Sequence, residues 1–191
     1  MARQIRAHQG YSCTGASSIS SALGKGNEAL TYLDKLFTKF LSVNTLYRES
    51  GPVIETPLSA AQSIHDMLLQ SWGGKLRIFP AVPDSWKDIA YKDFRAEGAF
   101  LITASRKNGK TEFITIKSLA GEPCIVVTDI SSTCLQRKTP ICGHSFIRIY
   151  VQIDLQKGEE VIIYSKGTQP DFTIRPVNNS RTNCFGKKKR S

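Results

Sequence analysis

The hydrophobic period of this chain changes once, at Trp72-Gly73-Gly74, from a helical spacing to an alternating one. No single element accommodates both, because side chains share a face every 3.6 residues in a helix and every second residue in a strand. The chain is therefore expected to be α+β, helices first and strands after. Upstream, Leu30, Leu33, Phe37, Phe40 and Leu41 recur at helical spacing, with Leu36 adjoining. They predict an amphipathic helix over 28–42, with Asn27 as N-cap and Glu28 complementing its positive end. Thr56-Pro57 opens a second helix, Thr capping and Pro in the first helical position. Leu58, Ala61, Ile64 and Leu68 form its apolar face, widened by Met67 and Leu69, until Trp72-Gly73-Gly74 ends it. A loop over 43–56 with Gly51-Pro52 and Glu55 joins the two helices. Residues 1–26, rich in Gly and Ser, show no persistent period and are expected to be poorly ordered, apart from a short helix near Ala16–Leu23.

Downstream of Gly74 the alternating stretches are short. Leu76–Phe79, Phe100–Ala104, Glu112–Ile116, Cys124–Thr128, Phe146–Ile153 and Glu160–Tyr164 read as strands. Lys107-Asn108-Gly109-Lys110 carries the strongest local signal, since both central residues of a type I′ hairpin turn need positive φ. Pro80 and Pro83 close the first strand, Asp84-Ser85-Trp86 is a turn with an aromatic anchor, and Gln156-Lys157-Gly158 turns between the last two strands. Short strands separated by turns at this spacing predict an antiparallel β-sandwich. The expected organisation is a helical region over 1–74, a sandwich over 75–175 and a basic, disordered tail over 176–191. Two helices are too few to bury their own apolar faces, so further helices upstream are their expected partner.

Composition narrows the function classes. The net charge of +10 could attract nucleic acid or anionic membranes, but it is spread thinly except at Lys187-Lys188-Lys189-Arg190, a run that reads as a solvated tail. No nucleic-acid motif accompanies it, and neither a membrane span nor a secretory h-region is present, so neither partner is expected and the compartment stays open. The five cysteines include no Cys-x-x-Cys pair; no metal or cofactor is expected. Cys134 and Cys142 are near enough in sequence to bridge in an oxidising compartment, with free thiols the preferred reading.

From about Gly26 to Pro123 the chain resembles the C-terminal portion of glycoside hydrolase family 95, the α-L-fucosidase type. The first matching stretch is Gly26-Asn27-Glu28-Ala29-Leu30, with Asn44-Thr45-Leu46 after it; the second is Ile54-Glu55 and then Asp66-Met67-Leu68-Leu69-Gln70-Ser71. The third and most specific runs from Leu76-Arg77-Ile78-Phe79-Pro80 through Ala81-Val82-Pro83-Asp84-Ser85-Trp86 to Phe94-Arg95-Ala96-Glu97-Gly98-Ala99-Phe100. The resemblance implies the last helices of an (α/α)6 toroid followed by the sandwich, and a parent enzyme that hydrolyses α-L-fucosides or related α-glycosides with inversion. Inversion needs a general acid and a carboxylate base that activates water on the opposite face.

The family's base is an aspartate in a Gln-Ile-Asp-Gly-Asn-Phe-Gly-like loop, and ungapped alignment puts Glu55 at its position. Here the loop reads Val53-Ile54-Glu55-Thr56-Pro57-Leu58-Ser59, without the Gly-Asn-Phe-Gly portion. Glu adds about 1.5 Å of reach, and errors near 1 Å can cost on the order of a hundredfold in rate. A different sugar, a reshaped loop or lost activity would each accommodate the change. The family's general acid and the asparagine partners of the base lie upstream, so the chain alone is expected to be inactive. Its carbohydrate substrate and the upstream catalytic-domain helices are the partners implied. A non-enzymatic sandwich module that binds carbohydrate or a protein is the alternative.

Each candidate also has an ordinary role. Glu55 complements a helix N-terminus. His65 suits helix packing, and Trp72 and Trp86 suit the junction of helices and sandwich, although aromatic faces also stack on sugars. Gln62 and Ser63 are positioned to bond a substrate hydroxyl, without independent support. Asn178-Asn179-Ser180 fits the glycosylation pattern, which arises often by chance.

Overall fold

The computed structural model describes residues 9–42, 47–48, 54–130, 133–137 and 149–175. The 176–191 tail, Cys142, the acceptor Asn178-Asn179-Ser180 and most of the 43–56 loop lie outside the described residues. The described residues divide into two compact units: one holds those up to 67 together with 81–83, the other 68–80 together with those from 84 to 175.

Three helices build the first unit: α1 (Gly10–Ala22), α2 (Gly26–Lys39) and α3 (Glu55–Leu68). The poor order expected of 1–26 is corrected, since 10–22 form a full helix. Its period is hidden because the buried side is made of small polar residues, with Cys13, Thr14, Ser17, Ser20 and Ser21 all enclosed. Backbone carbonyls of the same helix take up part of this face, Ser21 donating to the Ser17 carbonyl at 2.9 Å and Thr14 to that of Tyr11 at 2.9 Å, while the Ser17 hydroxyl has no partner among the described residues. α2 starts at Gly26, so Asn27 is a helical residue and not the N-cap; Lys25 occupies that place. A β-carbon at Gly26 would collide with the backbone of Ala81 and Val82, which explains a glycine where the helix approaches that segment.

The buried faces are rotated from those expected. α2 buries Ala29, Leu33 and Leu36, leaving Leu30, Phe37 and Phe40 half-exposed. α3 buries Thr56, Ala60 and Ser63, together with Met67 and Leu68 as expected, whereas Leu58 is 61% exposed. α3 also ends earlier than expected, at Leu68, because Leu69–Gln70 enter a sheet directly.

The second unit holds two sheets. β1 (Leu69–Gln70), β2 (Lys75–Ile78), β6 (Cys124–Thr128) and β8 (Ile149–Ile153) lie in that order in one. β3 (Ile89–Ala96), β4 (Phe100–Lys107), β5 (Lys110–Ser118), β9 (Glu160–Ser165) and β7 (Thr133–Arg137) follow the order β3-β4-β5-β9-β7 in the other. Both sheets bury alternate apolar residues, among them Leu76, Ile78, Val126 and Ile153 in the first and Ile102, Ala104, Ile116 and Ile163 in the second. This two-sheet arrangement fits a β-sandwich. It is not wholly antiparallel: β2 and β6 pair parallel, since three strands of the other sheet intervene between them.

The hairpin expected at Asn108-Gly109 joins β4 and β5, with φ of 51° and 75° at the two turn residues. Cys13 and Cys124 are buried free thiols. Burial, helped by the Asp154 carboxylate, pushes the Cys124 thiol up to about 11.

Candidate functional site

α3 presents Glu55, Ser59 and Gln62 on one side, at the i, i+4, i+7 spacing that stacks side chains along a helix face. Across from them α1 presents Tyr11, Thr14, Gly15 and Ser18 at the same spacing. Together they line an open groove of about 450 Å3. The floor is a seam of hydroxyls. Ser59 Oγ donates to Thr14 Oγ1 at 2.7 Å, Ser63 Oγ bonds the Thr14 carbonyl at 2.9 Å, and the Ser18 and Ser63 hydroxyls meet at 3.0 Å. These pairings advance by four residues on both helices, so α1 and α3 run side by side in the same direction. Small side chains make this close approach available, and each buried hydroxyl on the seam finds a partner, as burial of polar groups requires.

Glu55 stands in the first turn of α3 and is exposed, the only carboxylate among the lining residues. Its position also complements the positive helix end. Gln62 lines the same wall, and its amide donates to Asp66 Oδ1 at 2.7 Å. Ser63 is fully buried behind the wall, its hydroxyl committed to the α1 seam. His65 is half-buried and outside the groove lining.

The two tryptophans belong to the sheet unit. Trp86 is half-buried. Trp72 is 52% exposed at the β1–β2 turn, and the Arg77 guanidinium carbon lies 3.7 Å from its ring centroid. A packed Trp72 was expected; the ring is instead covered on one side by a cation.

Sequence reasoning located the α3 wall through Glu55 and missed the α1 wall entirely. The signal was present as the recurrence of small hydroxyl residues at 14, 18 and 21 against Ser59 and Ser63, but an apolar-period test does not register it.

Chemically, a solvent-facing carboxylate at the rim of a hydroxyl-lined groove can accept a proton or orient a water. Inverting glycoside hydrolysis needs a second carboxyl group roughly 6.5–9.5 Å away, and the described residues lining the groove do not supply one.

Comparison with known proteins bears on the second unit. The family model described as glycoside hydrolase family 95, C-terminal domain, matches residues 70–163. No curated protein matches the chain. The matched span runs from the end of β1 to the middle of β9, taking in strands of both sheets. Residues 70–163, which hold most of the two-sheet unit, thus match the C-terminal domain of glycoside hydrolase family 95.

Proposed function

We propose that the chain is the C-terminal part of an inverting glycosidase of the α-L-fucosidase type, with Glu55 as the carboxylate that activates water. In this reading the helical unit is the end of the catalytic domain. The groove between α1 and α3 is one wall of the sugar site, and further catalytic-domain helices bring the general acid. The observation that carries the reading is the surface around Glu55. Ile54 and Leu58 beside it, and Tyr11 across the groove on α1, are 57–68% exposed, and farther along Ile19 on α1 and its C-cap residue Leu23 are exposed as well. Leu58 belongs to the stripe that the helical period marks for burial, so the helix is patterned to be covered on a side that the described residues leave open.

The test is made on the native protein. An antibody against residues 76–166 should recognise a species several times the 21.2 kDa of this chain, and that species should cleave an α-L-fucoside with inversion. Glu55→Gln in it keeps the size and hydrogen-bonding shape while removing the base. It should lower kcat by about a hundredfold or more with little change in KM. Unchanged kcat in Glu55→Gln removes Glu55 from the chemistry, and a native species of the chain's own mass removes the reading as part of a larger enzyme.

A further inference from the structure

The outward face of the β1-β2-β6-β8 sheet is unusual for a surface that merely meets water. Along β2, Leu76 and Ile78 point inward and are buried, so Lys75 and Arg77 point outward. The register places Arg77 beside Val127 and Val127 beside Tyr150, with Ile125 and Gln152 completing the neighbouring row that begins at Lys75. Tyr150 is 59% exposed and Gln152 is exposed as well.

The two cations on this face are held by rings. Arg77 lies over Trp72, and the Lys75 ammonium sits 4.9 Å from the Tyr150 centroid. The Trp72 indole is itself fixed, its N–H donating to Gln70 Oε1 at 3.1 Å, and Arg77 Nη1 donates to the Trp72 carbonyl at 2.7 Å. Neither cation faces a carboxylate at ion-pair distance among the described residues, and Arg77 Nη2 and Nε make no hydrogen bond there. Like charges two residues apart on one strand face repel, and nothing described on the sheet neutralises them.

We propose that this face is a binding surface for an oligosaccharide carrying uronate carboxylates. The free edge of a guanidinium is a planar donor pair that matches a carboxylate. Lys75 adds a second positive charge, and the exposed rings of Trp72 and Tyr150 offer flat apolar area to the C–H faces of sugar rings. Because the rings already hold both cations in place, little side-chain freedom is lost on binding. Two strand intervals separate β2 from β8, about 9–10 Å, so a ligand touching both ends is a chain of sugars and not a single one. A nucleic acid would also answer to cations and rings, but all these residues lie within the glycoside hydrolase family 95 domain, which favours a saccharide. This surface lies in the sheet unit and does not depend on the role assigned to Glu55.

The test is calorimetric titration of the whole chain with a galacturonate tetrasaccharide, a neutral tetrasaccharide and a single-stranded oligonucleotide of equal charge. Binding of the galacturonate is expected, weakened about tenfold or more by Arg77→Gln and by Tyr150→Ala and unchanged by Lys92→Gln, on a strand of the other sheet. Circular dichroism of each variant must match the parent, which separates loss of the surface from loss of the fold. Equal binding of the neutral sugar, preference for the oligonucleotide, absence of binding, or undiminished binding by well-folded Arg77→Gln would each overturn the proposal.

Discussion

Two buried hydroxyl-bearing residues show how differently a polar group can sit in one chain. Ser63 is fully enclosed but bonded to α1, so its hydroxyl holds two helices in register. Tyr91, 4% exposed, is packed between Phe79 at 5.3 Å and Phe94 at 4.6 Å, and its hydroxyl has no partner among the described residues. Burial drives that phenol far above its usual ionisation range, so it stays neutral throughout ordinary pH. A buried unpaired hydroxyl costs about 1–3 kcal/mol of desolvation, while the ring carries the packing. Tyr91→Phe keeps the ring and removes the cost. It is therefore expected to raise stability by about 1 kcal/mol, read as a higher urea midpoint at unchanged slope. A lower midpoint would mean that the hydroxyl has a water partner in solution.

At the scale of elements, legibility followed how local the determining physics is. The β4–β5 hairpin was readable because Asn108-Gly109 encodes its turn within two residues. β3 was not, because its inward positions 89, 91, 94 and 96 skip a step at a bulge between Tyr91 and Phe94, where Asp93 takes φ 56° and its amide bonds Thr103 Oγ1. α1 was read only in part, as a short helix near Ala16–Leu23, because a face of serines has no hydrophobic period, and with its first turns went one wall of the candidate groove. The buried face of α2 begins at two small residues, Gly26 and Ala29, that an apolar period passes over, and Gly26 lies close against the backbone of Ala81 and Val82. That closeness makes two glycines respond in opposite directions. In a helix Gly→Ala is ordinarily worth up to ~1 kcal/mol. Gly15→Ala, whose β-carbon would meet nothing within 4 Å, should realise roughly that gain. Gly26→Ala places its β-carbon against the backbone of Ala81 and Val82, which lacks a flexible side chain's freedom to move aside. An overpacking cost of about 1–3 kcal/mol then exceeds the propensity gain. The measurement is the pair of urea midpoints, and the same sign for both substitutions would refute the close approach.

For the molecule as a whole, the sequence marked the change from helices to sheets but not the pairing of β2 with β6, which joins strands separated by most of the other sheet. Nor did it show which helix faces stay open, because a period locates a stripe without saying whether the covering partner is near. Ile19, Leu23 and Leu58, all over 60% exposed, are where this matters. An exposed side chain contributes little to the stability of its own helix, so the double substitution Leu23→Lys with Leu58→Glu should change the chain's stability, read from its urea midpoint at unchanged slope, by no more than about 0.5 kcal/mol. Association should respond strongly, because apolar surface left open drives contact between copies whenever no partner covers it. The expected result in sedimentation velocity is concentration-dependent self-association of the parent chain and a monomer for the double variant. If the parent is monomeric at every concentration tested, the helical face is adapted to water, and the covering helices invoked for the catalytic domain lose their structural support. If the double variant unfolds instead, Leu23 and Leu58 belong to the core of the helical unit, and its open side must be sought elsewhere on α1 and α3.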